Sequence, residues 1–158
     1  MHATLHAPGP DRVRANTWPP INERVDRGIQ LRLRQAAAWH TPDELSDQIA
    51  ALDMEWDFER VVEAEASLAG LLGLVLGATV DRRFLAVPAI VAVMLLVHAS
   101  QGWYPLLPIF RRLGVRTRHE IDRERFGVKA IRGDFTTVPP AGAAATERAA
   151  AAWKAVCA

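Results

Sequence analysis

The sequence predicts an all-α chain built around a two-helix transmembrane hairpin, flanked by amphipathic cytoplasmic helices and disordered termini. Three observations predict it. Two apolar runs, Val61–Val80 and Phe84–Tyr104, have nearly matching lengths. Only the polar turn Asp81-Arg82-Arg83 separates them, and neither run carries an amphipathic stripe. A helix that is apolar all round is either buried or membrane-spanning. A chain of 158 residues offers too little surrounding structure to bury two of them. A soluble helical bundle with an ordinary core is the competing architecture, and it predicts recovery without detergent.

Residues 1–20 read as a disordered arm, because Pro8-Gly9-Pro10 and Trp18-Pro19-Pro20 interrupt any helix. The arm has no apolar signal-peptide core, so insertion is expected to use the internal runs. Residues 21–60 read as amphipathic cytoplasmic helices. In the first, over 21–38, Ile21, Val25, Ile29 and Leu33 recur every four positions. The second starts at Thr41-Pro42-Asp43-Glu44, with a capping threonine, proline at the first helical position and a glutamate that completes a capping box. It carries Leu45, Ile49, Leu52 and Trp56 on one face and runs toward residue 60, where it either ends or continues into the first span.

Residues 61–104 form the hairpin. Glu63 and Glu65 interrupt the first run near its start, leaving an uncharged stretch from Ala66 to Val80. That stretch makes about 22 Å of helix, so both glutamates are expected in the headgroup region if it is to cross a hydrocarbon core of about 30 Å. The second run holds no Asp, Glu, Lys or Arg and makes about 31 Å of helix. Pro88 falls near its first turn, and Trp103 and Tyr104 make an aromatic anchor at the membrane–water boundary.

Residues 105–135 are a basic juxtamembrane segment. Thr117 caps a charged helix carrying Ile121, Val128 and Ile131, and Gly133 stops it. Residues 136–158 are a Pro/Gly/Ala linker and an alanine-rich tail.

Half of the residues are apolar, and 19 Lys+Arg nearly balance 18 Asp+Glu for a net charge of +1, which gives no global case for nucleic-acid binding. The bases cluster instead: Arg60 precedes the hairpin, Arg111, Arg112, Arg116, Arg118, Arg123, Arg125, Lys129 and Arg132 follow it, and the turn has only Arg82 and Arg83. The positive-inside rule then places both termini in the cytoplasm, making a multi-pass membrane protein. The sole cysteine, Cys157, permits no intramolecular disulfide, CxxC pair or cysteine-based metal site.

Several residue groups are candidates for more than placement. Ala69, Gly73 and Gly77 put small residues on one helical face, where they seat either the second span or a second copy as a homodimer. His98 and Gln101 are the polar site within the second span, His98 either contacting a proton or ligand or reaching interfacial water. Arg111, Arg112, Arg116 and Arg118 are placed to contact anionic lipid headgroups, each base contributing about 1 kcal/mol near a charged leaflet. The run Asp53, Glu55, Asp57, Glu59, Glu63, Glu65 spreads around its helix as a solvated face, without converging on a metal. Arg132-Gly133-Asp134 matches an adhesion tripeptide only by chance. No protease triad, HExxH, P-loop or GxGxxG pattern is present, so no cofactor or catalytic residue is expected.

The stretch His98-Ala99-Ser100-Gln101-Gly102-Trp103-Tyr104-Pro105, followed by Phe110-Arg111-Arg112-Leu113-Gly114-Val115-Arg116-Thr117, resembles the YgaP-like inner-membrane transmembrane domain family. The likeness extends over roughly residues 45–135. It implies a bacterial inner-membrane protein with two helices. Some members carry a rhodanese-type sulfurtransferase domain that the hairpin anchors and can dimerise. This chain has no such domain, and where relatives often have cysteine in the exit motif it has Tyr104. The resemblance therefore implies no sulfur transfer here.

The function these readings predict is a non-enzymatic membrane anchor or scaffold, meeting an unidentified cytoplasmic protein through Leu45, Ile49, Leu52 and Trp56. The same face could lie on the lipid interface. The alternative is a small oligomeric transport or ion-conducting protein using His98 and Gln101.

Overall fold

The computed structural model describes residues 11–39 and 41–157, and the first ten residues lie outside it. Helices account for the regular structure among the described residues, and none of these residues is in a strand. The helices are α1 (Arg12–Ala15), α2 (Pro19–Trp39), α3 (Pro42–Met54), α4 (Phe58–Thr79), α5 (Ala86–Gln101), α6 (Leu107–Arg112), α7 (Arg118–Arg132) and α8 (Ala145–Cys157). A 3₁₀ turn, Arg82–Leu85, joins α4 to α5. The chain divides into two compact units, residues 1–25 with 56–120, and residues 26–55 with 121–158.

The first unit contains the hairpin. Asp57 starts α4 by accepting the Arg60 N–H at 2.9 Å, and the Phe58 N–H donates to the Arg116 carbonyl at 2.8 Å. Two of the donors that a helix start leaves open are thereby satisfied. α4 and α5 then run antiparallel. A Cβ built on Gly73 would lie 2.7 Å from the Val87 Cβ, and one built on Gly77 2.6 Å from the Leu85 Cδ2. The absence of side chains at these two positions is what lets the helices approach. Asp81 organises the turn by accepting the Arg83 N–H at 2.8 Å.

Both hairpin helices are long and apolar enough to cross a membrane. Little of that apolar surface is covered: 22% of the most apolar window is buried in the first and 6% in the second. Leu68, Leu71, Leu72, Ile90, Val93 and Leu96 all point outward. A core helix of a soluble protein would hide such residues. The unit's core sits at the other end, where Val13, Phe58, Val62, Tyr104 and Leu107 are buried together.

The second unit is a small helical core. Leu45, Ile49 and Leu52 of α3 pack with Ala36, Ile121 and Val128. Glu124, buried, receives Arg32 through two bonds of 2.7 and 2.8 Å. Lys129, also buried, donates to the Val156 carbonyl at 2.8 Å. Burial, then the neighbouring Arg125 charge, holds its ammonium below the usual lysine range. Gly133 (φ +91°) ends α7, and the Arg132 guanidinium closes on Asp134 with bonds of 2.8 and 2.6 Å. The adhesion-like tripeptide is thus a helix stop.

Three expectations are revised and one open alternative is resolved. The arm expected over residues 1–20 is helical in most of its described part, residues 1–10 lying outside the described residues: Asp11 caps α1, and Pro19 and Pro20 open α2, where their missing N–H groups cost nothing. The helix from Pro42 is not continuous with the first span, because Glu55 and Asp57 are extended (ψ 135° and 171°). α5 stops at Gln101, since Gly102 is left-handed (φ +73°), so Trp103 and Tyr104 follow the helix instead of ending it. Leu45, Ile49 and Leu52 are not a free face: the unit's own helices cover them. Only Trp56, beyond the helix end, stays half-exposed, with Arg60 stacked 4.6 Å above its ring.

Candidate functional site

The first turns of α4 meet the last turns of α5, and polar chemistry gathers there. Glu59 is on the opening turn of α4, where the helix dipole favours a carboxylate. His98 is on the closing turn of α5. Its Nε2 lies 2.5 Å from Glu59 Oε2. With Glu59 ionised, Nε2 is the donor in that bond. Nδ1 is buried and has no hydrogen-bond partner among the described residues. The ring packs against Phe58 and Tyr104, with centroids 5.6 and 5.9 Å away. Six positions beyond Glu59 along α4, Glu65 accepts from the Tyr104 hydroxyl at 2.5 Å.

α1 closes this end of the hairpin. The last carbonyls of a helix have no partner within it. Here Arg12 donates to the carbonyls of Ala99 and Ser100 at 2.8 and 3.1 Å, and Asn16 Nδ2 donates to that of Gln101 at 2.9 Å. Gly102 donates to His98 O at 2.7 Å. The left-handed glycine leaves room for the Arg12 backbone, which lies directly over it.

Beneath lies a charge network. Glu120 is fully buried and takes two 2.7 Å bonds from Arg111 and a third of 2.7 Å from Arg14. Thr117 and Glu120 form a capping box, the Thr117 N–H donating to the carboxylate at 2.9 Å. Burial works against the Glu120 charge, but the bonds from Arg111, Thr117 and Arg14 outweigh it and hold the carboxyl below its usual range. Arg111 also donates to the Val115 carbonyl and to Asn22 Oδ1.

A cavity of about 760 Å³ opens between these parts, bordered by Arg12, Glu59, Glu63, His98, Arg118 and His119 among others. Among the described residues no group of three or more His, Cys, Asp or Glu side chains is arranged to hold a metal ion.

The predicted site residues are therefore placed as follows. His98 belongs to the site, while Gln101 contributes its carbonyl and leaves its side chain outside. Gly73 faces Val87 and Pro88 of α5 and Gly77 faces Leu85 of the 3₁₀ turn in the same chain, with Ala69 half-buried on α4. Trp103 is half-exposed, whereas Tyr104 is buried. Of the four bases predicted at the headgroups, Arg111 and Arg116 are buried, and Arg112 and Arg118 are exposed. Sequence reasoning missed Arg12, Asn16 and Glu120, and it read Glu59 and Glu65 as solvated. The spacing Thr117-x-x-Glu120 was the one available signal for Glu120.

Comparison with family models, curated proteins and solved structures finds no match to this chain.

Proposed function

We propose that the chain is a membrane-anchored scaffold. In this reading α4 and α5 cross the cytoplasmic membrane, and the helices on either side of them remain in the cytoplasm. The observation that carries it is the uncovered apolar surface of both hairpin helices. Lipid is the partner that such a surface fits, because water exacts a cost of about 25 cal/mol for every Å² of apolar area left exposed. The arginine excess beside the hairpin ends supports cytoplasmic termini. Exposed Trp103 is suited to the interface, and exposed Arg112 and Arg118 to anionic headgroups. The resemblance to the YgaP-like family accords with an anchoring role in an inner membrane. A conducting oligomer would need a seam other than Gly73 and Gly77, which already face α5 and the 3₁₀ turn of the same chain.

Carbonate extraction joined to a cysteine-accessibility scan tests the reading. On a Cys157→Ser background, Arg82→Cys and Pro140→Cys carry the probes. The expected outcome is a pelleted protein labelled at 82 from outside and protected at 140. Release into the carbonate supernatant would sink it.

A further inference from the structure

The cavity beside Glu59 and His98 has two kinds of wall. Val13, Val62 and Leu95 make one apolar, while Glu59, Glu63 and Arg12 bring both charge signs to the other. Its position along the hairpin is specific. Glu63 stands one turn before the uncharged stretch of α4 begins at Ala66, which is the depth of a headgroup–acyl boundary if the hairpin spans a bilayer.

The bonding of these groups is uneven. Asp11 is satisfied, accepting from the Arg14 N–H at 2.9 Å and the Thr117 hydroxyl at 2.5 Å. Glu59 holds His98 through one oxygen. Glu63 makes no hydrogen bond or ion pair among the described residues, although it borders the cavity. Arg12 spends one guanidinium nitrogen on the carbonyls of Ala99 and Ser100, and its other nitrogens remain for an acceptor. His119 likewise borders the cavity without a bond among the described residues.

We propose that this cavity seats the headgroup of a zwitterionic aminophospholipid. The primary ammonium sits against Glu63 and the second oxygen of Glu59, the phosphate meets Arg12 and His119, and the acyl chains follow the apolar faces of α4 and α5. The proposal rests on the membrane reading above. The chemistry of the wall selects the headgroup. Two carboxylates on successive turns suit an N–H donor. A trimethylated ammonium is recognised by aromatic cages, and among the described residues no Phe, Tyr or Trp belongs to this lining. An anionic glycerol headgroup would bring neutral hydroxyls, without an ammonium charge, to the two carboxylates, and so a weaker bond there.

The test uses the full chain purified in detergent and titrated with phosphatidylethanolamine, phosphatidylcholine or phosphatidylglycerol, with bound lipid counted by native mass spectrometry. The expected result is one retained phosphatidylethanolamine, with the other two lipids weaker by about tenfold or more, since one hydrogen bond to a charged group is at stake. Glu63→Gln should erase that preference while helicity and carbonate resistance stay unchanged. Equal retention of the three lipids, or an unaltered preference in Glu63→Gln, overturns the proposal. Displacement of the lipid by an equal concentration of free glycerophosphoethanolamine overturns the lipid source and leaves a soluble phosphoamine. Release of the chain by carbonate would end the membrane reading and the lipid with it. Titration of that soluble chain with glycerophosphoethanolamine would then decide the cavity's chemistry: saturable binding upholds the charge assignment, and no binding overturns it.

Discussion

Gly102 and Arg12 meet backbone to backbone: a Cβ on Gly102 would stand 2.3 Å from the Arg12 Cβ and 2.7 Å from its carbonyl carbon. The same glycine is left-handed at φ +73°. Gly102→Ala therefore incurs two costs, about 1–2 kcal/mol for the backbone and about 1–3 kcal/mol for overpacking. Gly114, at φ +93° with open space around it, incurs only the first. Thermal melts in detergent should rank Gly102→Ala well below Gly114→Ala. Equal melting temperatures would mean that α1 does not hold the hairpin end.

The seam between α4 and α5 makes a second contrast. Gly73→Ala drives a methyl into Val87 and Pro88, at 2.7 and 2.8 Å, and should destabilise by about 1–3 kcal/mol. Gly70, on the same helix, has nothing within 4 Å. Gly70→Ala should be neutral or stabilise by up to about 1 kcal/mol through helix propensity. Unfolding in mixed micelles reads both, and a destabilised Gly70→Ala would show that a second helix covers that face.

Acid should unfold the first unit through Glu120. Its carboxyl is held below the usual range in the folded chain, so the folded state binds its proton less readily than the unfolded state does. Its contribution is complete above the unfolded-state pKa and is lost as pH falls through the lower folded value. Glu120→Gln should cost about 3–5 kcal/mol near neutral pH by stranding Arg111. It should also flatten the acid limb of stability measured by denaturant titration between about pH 7 and pH 3. A limb of unchanged slope would assign the acid sensitivity to other carboxylates.

Ile49 distinguishes a core from a docking face. It is 4% exposed within its unit, so Ile49→Ala should cost about 2–5 kcal/mol of stability. Trp56, half-exposed, should cost far less when replaced by alanine. If Ile49→Ala leaves chemical denaturation unmoved, α3 does not pack as described.

How far the fold was legible depends on how local each signal is. The capping box at Thr41 and Glu44 forms as its spacing predicts, because both partners lie within one helical turn. Gly73 and Gly77 announced a close approach, but the partner helix is a tertiary fact, and only geometry shows Val87 and Leu85 against them. The acidic run misled for the same reason. Helical spacing spreads Glu59 and Glu65 around α4, and it cannot show that His98 and Tyr104, each 39 positions away, turn to meet them. The basic run concealed the opposite case: Arg111 is an ordinary juxtamembrane base by composition, yet it is buried on Glu120. A long-range partner leaves no period in the sequence, so the site's charged pairs were the least legible part of it.

The clasp of Arg12 on the carbonyls of Ala99 and Ser100 also orders the protein's birth. A ribosome releases Arg12 87 positions before Ala99, so the earlier stretch must wait for the last turn of α5 before it can close on it.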